Sequence, residues 1–273
     1  MEKMLKAIEN RAQPTTPVLR QHEMPAIPCF FHGRGHIVND VACLLTSCEG
    51  AQVCILGPGG MGKTSVTVVV MWSEAIGGEF KEENCFWVSC INAKSPSLFL
   101  QVLYASLWIM QNTSDALADI HNDLQISPDS RLLVLDNFET PWYSRVGPHG
   151  EVKEILSSLS SLPHLSILEM MRSNFPPSEE IAWEERILHS TNEEASWLIY
   201  TNIDPAAVGH LALPDLLRSL DHMLFAITLM VTMGKKSKYL PDELLRMWCE
   251  GGTDMLSEPE EGMNYFFKSS LLC

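Results

Sequence analysis

Two patterns of apolar residues alternate along most of this chain. Continuous apolar runs at Val53–Leu56, Cys85–Ser89, Arg131–Asp136 and Leu165–Met171, with a shorter one at Glu185–Leu188, read as strands. A run such as RLLVLD, apolar without interruption, suits a strand buried on both faces of a sheet. Between the runs, apolar residues recur every three or four positions, predicting helices at Ile37–Thr46, from the glycine segment to about Ala75, Pro96–Met110, Asp115–Leu124 and Glu151–Leu159. Strands alternating with helices imply an α/β domain with a mostly parallel sheet. After about Thr191 only helical periodicity remains, at 192–202, 205–209, 212–220, 222–233 and 241–249. The expected organisation is therefore four segments. Residues 1–27 form a short helix and a Pro-containing linker, 28–191 the α/β domain, 192–255 a small all-helical domain and 256–273 a tail.

The first strand runs into Gly57-Pro58-Gly59-Gly60-Met61-Gly62-Lys63-Thr64, which matches GxxxxGK[ST]. Glycines let the backbone curl until successive N–H groups converge on phosphate oxygens, and the helix that follows offers the positive end of its dipole to the same anion. In this reading Lys63 reaches the β- and γ-phosphates and the Thr64 hydroxyl ligates Mg²⁺, with Ser65 closing the set. The fold expected is a P-loop NTPase parallel sheet flanked by helices, and the cofactors are ATP or ADP with Mg²⁺. Asp136 ends its apolar strand, beside the strand of the glycine loop, and is the expected metal carboxylate. Asn137 follows where a second acid often stands; it cannot accept a proton, so Glu139 is the candidate base. Arg172 directly follows the fourth strand, where a guanidinium can reach a γ-phosphate.

Composition narrows the partners. The formal charge is −15 over 273 residues, which led to the expectation of no nucleic acid and no membrane surface as partner. The eight cysteines (Cys29, Cys43, Cys48, Cys54, Cys85, Cys90, Cys249 and Cys273) include no CxxC pair and no zinc spacing. They read as free thiols in a reducing compartment. The N-terminus lacks the pattern of a secretory signal, and the apolar stretch from Met223 to Met233 is about half of what a membrane span needs, so a cytoplasmic location is expected.

Several of these segments, in order, resemble the NB-ARC/NACHT class of STAND NTPases, in particular fungal NLR-like proteins. Pro28-Cys29-Phe30-Phe31-His32-Gly33-Arg34 looks like the family's entry segment, which lies against the nucleotide base and so brings in Gly33 and Arg34. GPGGMGKT, LLVLDNFE and SILEMMRSN resemble its P-loop, metal-binding strand and sensor strand. Asp221-His222-Met223-Leu224-Phe225-Ala226 resembles the segment that opens a helix of its helical domain. Three positions depart: Met170 replaces the sensor Thr, Asp221 a Gly, and Leu224 the Pro that packs on adenine. The resemblance implies a signalling switch in which ADP holds a closed state and ATP favours an open, self-associating one, with slow or absent hydrolysis. The family continues into a winged-helix domain, and the chain is expected to stop before it, leaving an exposed nucleotide and an apolar segment that promotes association. Two other readings are a binding-only pseudo-ATPase scaffold and a small-molecule kinase. The latter calls for an Arg-rich lid, and the sequence has no Arg pair or triplet suited to one.

Overall fold

A computed structural model describes residues 25–109, 115–126, 129–146 and 149–253. The expected N-terminal helix and the tail at 256–273 lie outside the described residues. Five parallel strands form one sheet: β1 (Gln52–Leu56), β2 (Cys85–Ser89), β3 (Arg131–Asp136), β4 (Leu165–Met171) and β5 (Glu184–Ile187), in the order β2-β3-β4-β1-β5. The α/β sheet flanked by helices is the one the apolar runs predict. One placement is corrected. β3 is not beside the strand of the glycine loop, because β4 lies between them, pairing Leu133 through Ile167 to Gln52.

Helices cover both faces. On one side pack α1 (Gly35–Ser47), α2 (Lys63–Met71) and α3 (Glu74–Glu79), burying Val41, Leu45, Val66 and Val70 against Val53, Ile55 and Val134. On the other lie α4 (Pro96–Leu107), α5 (Ala116–Ile126) and α7 (His149–Ser160), with Phe99, Leu103, Leu124 and Leu156 against Cys54, Leu133 and Ile167. A four-residue helix, α6 (Glu139–Trp142), follows β3 and is a turn the periodicity did not show. The single helix expected up to Ala75 is two. α2 ends at Met71, and Ser73, in extended geometry, caps α3 by accepting from the Ile76 amide at 3.4 Å. α4 stops at Leu107 because Trp108 takes a left-handed φ of 57°.

The last four helices are α8 (Glu193–Ile203), α9 (Leu213–Ser219), α10 (Leu224–Ser237) and α11 (Pro241–Gly251). They share an apolar cluster of their own, with Tyr200, Leu216, Ile227, Met230 and Leu244 at its centre. α10 starts two residues later than the periodicity suggests, since Asp221 and His222 both adopt φ of 51°. Among the described residues no helix is long and apolar enough to cross a membrane.

Candidate functional site

The C-terminal ends of β1, β3 and β4 converge on the glycine loop. β1 stops at Leu56, and the loop turns through Gly60 and Gly62 at φ of 78° and 87°. Only glycine fits at these two points, for reasons of space as well as φ. A Cβ on Gly60 would stand 2.5 Å from Phe225 Cβ, and one on Gly62 would stand 2.7 Å from a Leu224 methyl. The start of α10 therefore rests directly on the glycine loop, and the Phe225 amide donates to Gly60 O at 3.0 Å.

Gly62 hands over to α2, so Lys63, Thr64 and Ser65 form its first turn, with amides free of partners within the helix. Lys63 Nζ donates to Gly57 O at 2.7 Å and Pro58 O at 2.8 Å, holding the ammonium inside the loop. Burial pulls its pKa down, and the nearby Glu139 opposes that. The Thr64 hydroxyl donates to Asp136 Oδ1 at 3.1 Å. Although β4 separates their strands, the two residues predicted to share a cation thus meet. Asp136 is buried, and burial pushes its carboxyl above the usual range while the Thr64 bond pulls the other way.

Arg172 leaves the end of β4 and folds back over the loop. Its guanidinium carbon is 3.4 Å from where a side chain on Gly59 would begin. Arg172 Nε pairs with Glu139 Oε1 at 3.1 Å, and its amide donates to Glu139 Oε2 at 3.2 Å. Glu139 sits at the start of α6, placed there by Asn137, whose left-handed φ of 58° turns the chain at the end of β3. The candidate base is accordingly clasped by a cation. Met170, at the sensor Thr position, faces α2 and accepts from the Thr67 hydroxyl at 2.9 Å.

Arg34 and Leu224 border the other end of the loop, whereas Gly33, at φ of 71°, packs instead against Ala195 at the start of α8. Arg34 is buried, and its Nη2 donates to Met61 O at 3.2 Å and His189 O at 2.6 Å, so it ties the entry segment to the loop and to the end of β5. Burial lowers its pKa. Beside it is a cavity of about 20 Å³ lined by Phe30, His32, Met61, Ser65, Thr191 and Leu224 among others.

Sequence reasoning missed one group here. Glu169 lies mid-strand in β4, fully buried, with Cys54 Sγ donating to its Oε2 at 2.5 Å and no partner for Oε1 among the described residues. Burial raises its pKa to about 8. A lone acid inside SILEMM was the available signal.

No family model and no curated protein matches the sequence. Solved structures do match. The ORC1 protein of Aeropyrum pernix in complex with DNA is similar at 16% identity over 78% of this chain and 61% of that one, with a TM-score of 0.57. The ORC2 protein of the same organism, solved as ADPNP–ADP complexes, matches at 16% identity over 82% of this chain and 70% of that one, TM-score 0.56. Drosophila ORC bound to DNA matches at 12% identity over 85% of this chain and 62% of that one, TM-score 0.50. This chain has the fold of a P-loop NTPase.

These matches correct one expectation. Net charge was taken to exclude nucleic acid, yet two of these three structures are DNA complexes. Net charge sums the whole surface, whereas phosphate contacts are made locally by helix N-termini, main-chain amides and a few cations. A charge of −15 therefore does not exclude nucleic acid.

Proposed function

We propose that the chain is an adenine-nucleotide-binding module that acts as a switch, with 28–191 holding the phosphates and 192–255 responding to them. The observation that carries this reading is the meeting of Thr64 and Asp136 at 3.1 Å under a loop already gripping Lys63. The geometry suits a hard divalent cation. A hydroxyl and a carboxylate oxygen lie together, and burial leaves the carboxylate in need of a counter-charge. Phosphate oxygens and water would complete the coordination of such a cation. When bound, Mg²⁺ would neutralise charge between the phosphates. Thr64 and Asp136 would hold it, Lys63 would turn from the loop carbonyls to the β- and γ-oxygens, and Arg172 would meet the γ-phosphate. Gly57, Pro58, Gly59, Gly60, Met61, Gly62 and Ser65 would supply the surrounding main-chain cradle.

Adenine is favoured by the resemblance of the entry segment and of the α10 start to the STAND class, and by the ADPNP–ADP complexes of the ORC2 match. Slow or absent hydrolysis is favoured by Asn137 and by the clasp of Arg172 on Glu139. Chromatography of nucleotide released from the purified chain tests the reading. One adenine nucleotide per chain is expected, and a guanine nucleotide would refute it. A second reading, a binding-only scaffold, is favoured by the same clasp; single-turnover ATP hydrolysis with and without Mg²⁺ separates the two. Partners beyond nucleotide are protein, a second copy included. The DNA complexes of the ORC matches make duplex DNA a partner to be assayed as well.

A further inference from the structure

Two consecutive left-handed residues, Asp221 and His222, form the turn before α10. Neither is glycine, and left-handed geometry is costly for any residue with a Cβ, though His and Asp tolerate it better than most. Such a turn persists only where its surroundings hold it. Here three donors or partners do so. The His222 carbonyl accepts from the Thr191 amide at 3.1 Å and from the Thr191 hydroxyl at 2.8 Å, and the His222 Nδ1 pairs with Ser196 Oγ at 2.8 Å. Three residues later the Phe225 amide reaches Gly60 O, and Leu224 lies against Gly62.

The ends of this arrangement are also walls of the small cavity beside Arg34, where the nucleotide reading would seat the base. Thr191, which holds the turn, and Leu224, which the turn aims, both line the cavity of about 20 Å³. A base seated there would contact both the residue that holds the turn and the residue the turn aims. We propose that His222 is a positioning residue: the Thr191–His222–Ser196 latch seats α10 on the phosphate loop and so couples nucleotide occupancy to the helical segment. This rests on the nucleotide reading above. His222 touches no reacting atom; it acts through α10. Coupling is reciprocal, so if occupancy favours the seating of α10, a latch too weak to keep α10 seated lowers nucleotide affinity in turn.

The test pairs ADP calorimetry with hydrogen exchange of peptides covering 224–237, on the full chain. In the wild type, saturating ADP should slow exchange at the start of α10. Thr191→Val, which removes the hydroxyl and leaves the left-handed turn intact, should weaken ADP about fivefold. His222→Ala should weaken it about tenfold, and in both variants saturating ADP should no longer slow the α10 start. His222→Asn, which tolerates the same φ and keeps a polar group for Ser196, should restore most of both effects. A role confined to stability would lower the melting temperature and leave the ADP-induced change in exchange intact. ADP binding to the wild type with α10 exchange unchanged overturns the latch alone. Absence of ADP binding to the wild type overturns the nucleotide reading and the latch with it.

Discussion

Glu169→Gln should stabilise this protein, and increasingly so as pH rises. The side chain is fully buried on the central strand β4, its Oε2 accepts from the Cys54 thiol and its Oε1 lacks a partner among the described residues. Burial lifts its pKa from 4.5 to about 8. Between those values the folded state holds a proton that the unfolded state has lost, so stability falls as pH rises through the window. One pKa unit corresponds to about 1.4 kcal/mol, so the full window of about 3.5 units represents roughly 5 kcal/mol, of which roughly 3 is lost by neutral pH. That is a large share of the 5–15 kcal/mol typical of domain stability. Glutamine keeps the shape and cannot ionise. Urea unfolding of both proteins at half-unit steps from pH 5 to pH 8.5 reads the difference directly. Asp136, Cys54 and Cys90 are common to both chains, so their titration drops out of the difference to first order. The variant should match the wild type within about 1 kcal/mol at pH 5 and exceed it by roughly 4 kcal/mol at pH 8. Parallel profiles, or a variant less stable at pH 8, would show that the carboxyl is hydrated or paired and that the reasoning is wrong.

Three further outcomes are expected. Asp136→Asn should remove most of the Mg²⁺ dependence of ATP binding, because Thr64 then shares its site with a neutral amide; an unchanged Mg²⁺ titration would displace the cation from this pair. Glu139→Gln should weaken the grip on Arg172 and leave ADP affinity within about threefold of wild type, while abolishing any residual single-turnover hydrolysis. A residual rate that survives the change would mean the base lies elsewhere. Leu224→Pro should tighten ADP by up to about tenfold, since Leu224 is the first residue of α10 and Met223 is already extended at φ −74°, ψ 118°. Fluorescence titration checks it, and weaker binding would count against packing of this residue on the base.

The strands were legible because each buried strand is a nearly unbroken apolar run, and the glycine loop was legible because its chemistry restricts composition at fixed spacing. The neighbours of β1 were not. Strand order is decided by how crossovers pack, so nothing local to RLLVLD announces that β4 intervenes between β3 and β1. Arg172 and Glu139 each appeared in the sequence as isolated candidates, but their pairing needs the turn that Asn137 makes at φ 58°. The contact of Phe225 with Gly60 joins residues far apart in the chain, and no periodicity encodes it. Net charge was the weakest guide, since it averages over a surface on which binding is local.

The central claim is that this loop, with Lys63 and the Thr64–Asp136 pair, binds an adenine nucleotide. Isothermal calorimetry of ATP with Mg²⁺, on the wild type and on Lys63→Ala, tests it most directly. The account predicts one site in the wild type, affinity that drops when Mg²⁺ is chelated, and a loss of at least about tenfold in the variant with its circular dichroism unchanged. Equal affinity for wild type and variant, or no heat of binding to the wild type, would contradict it.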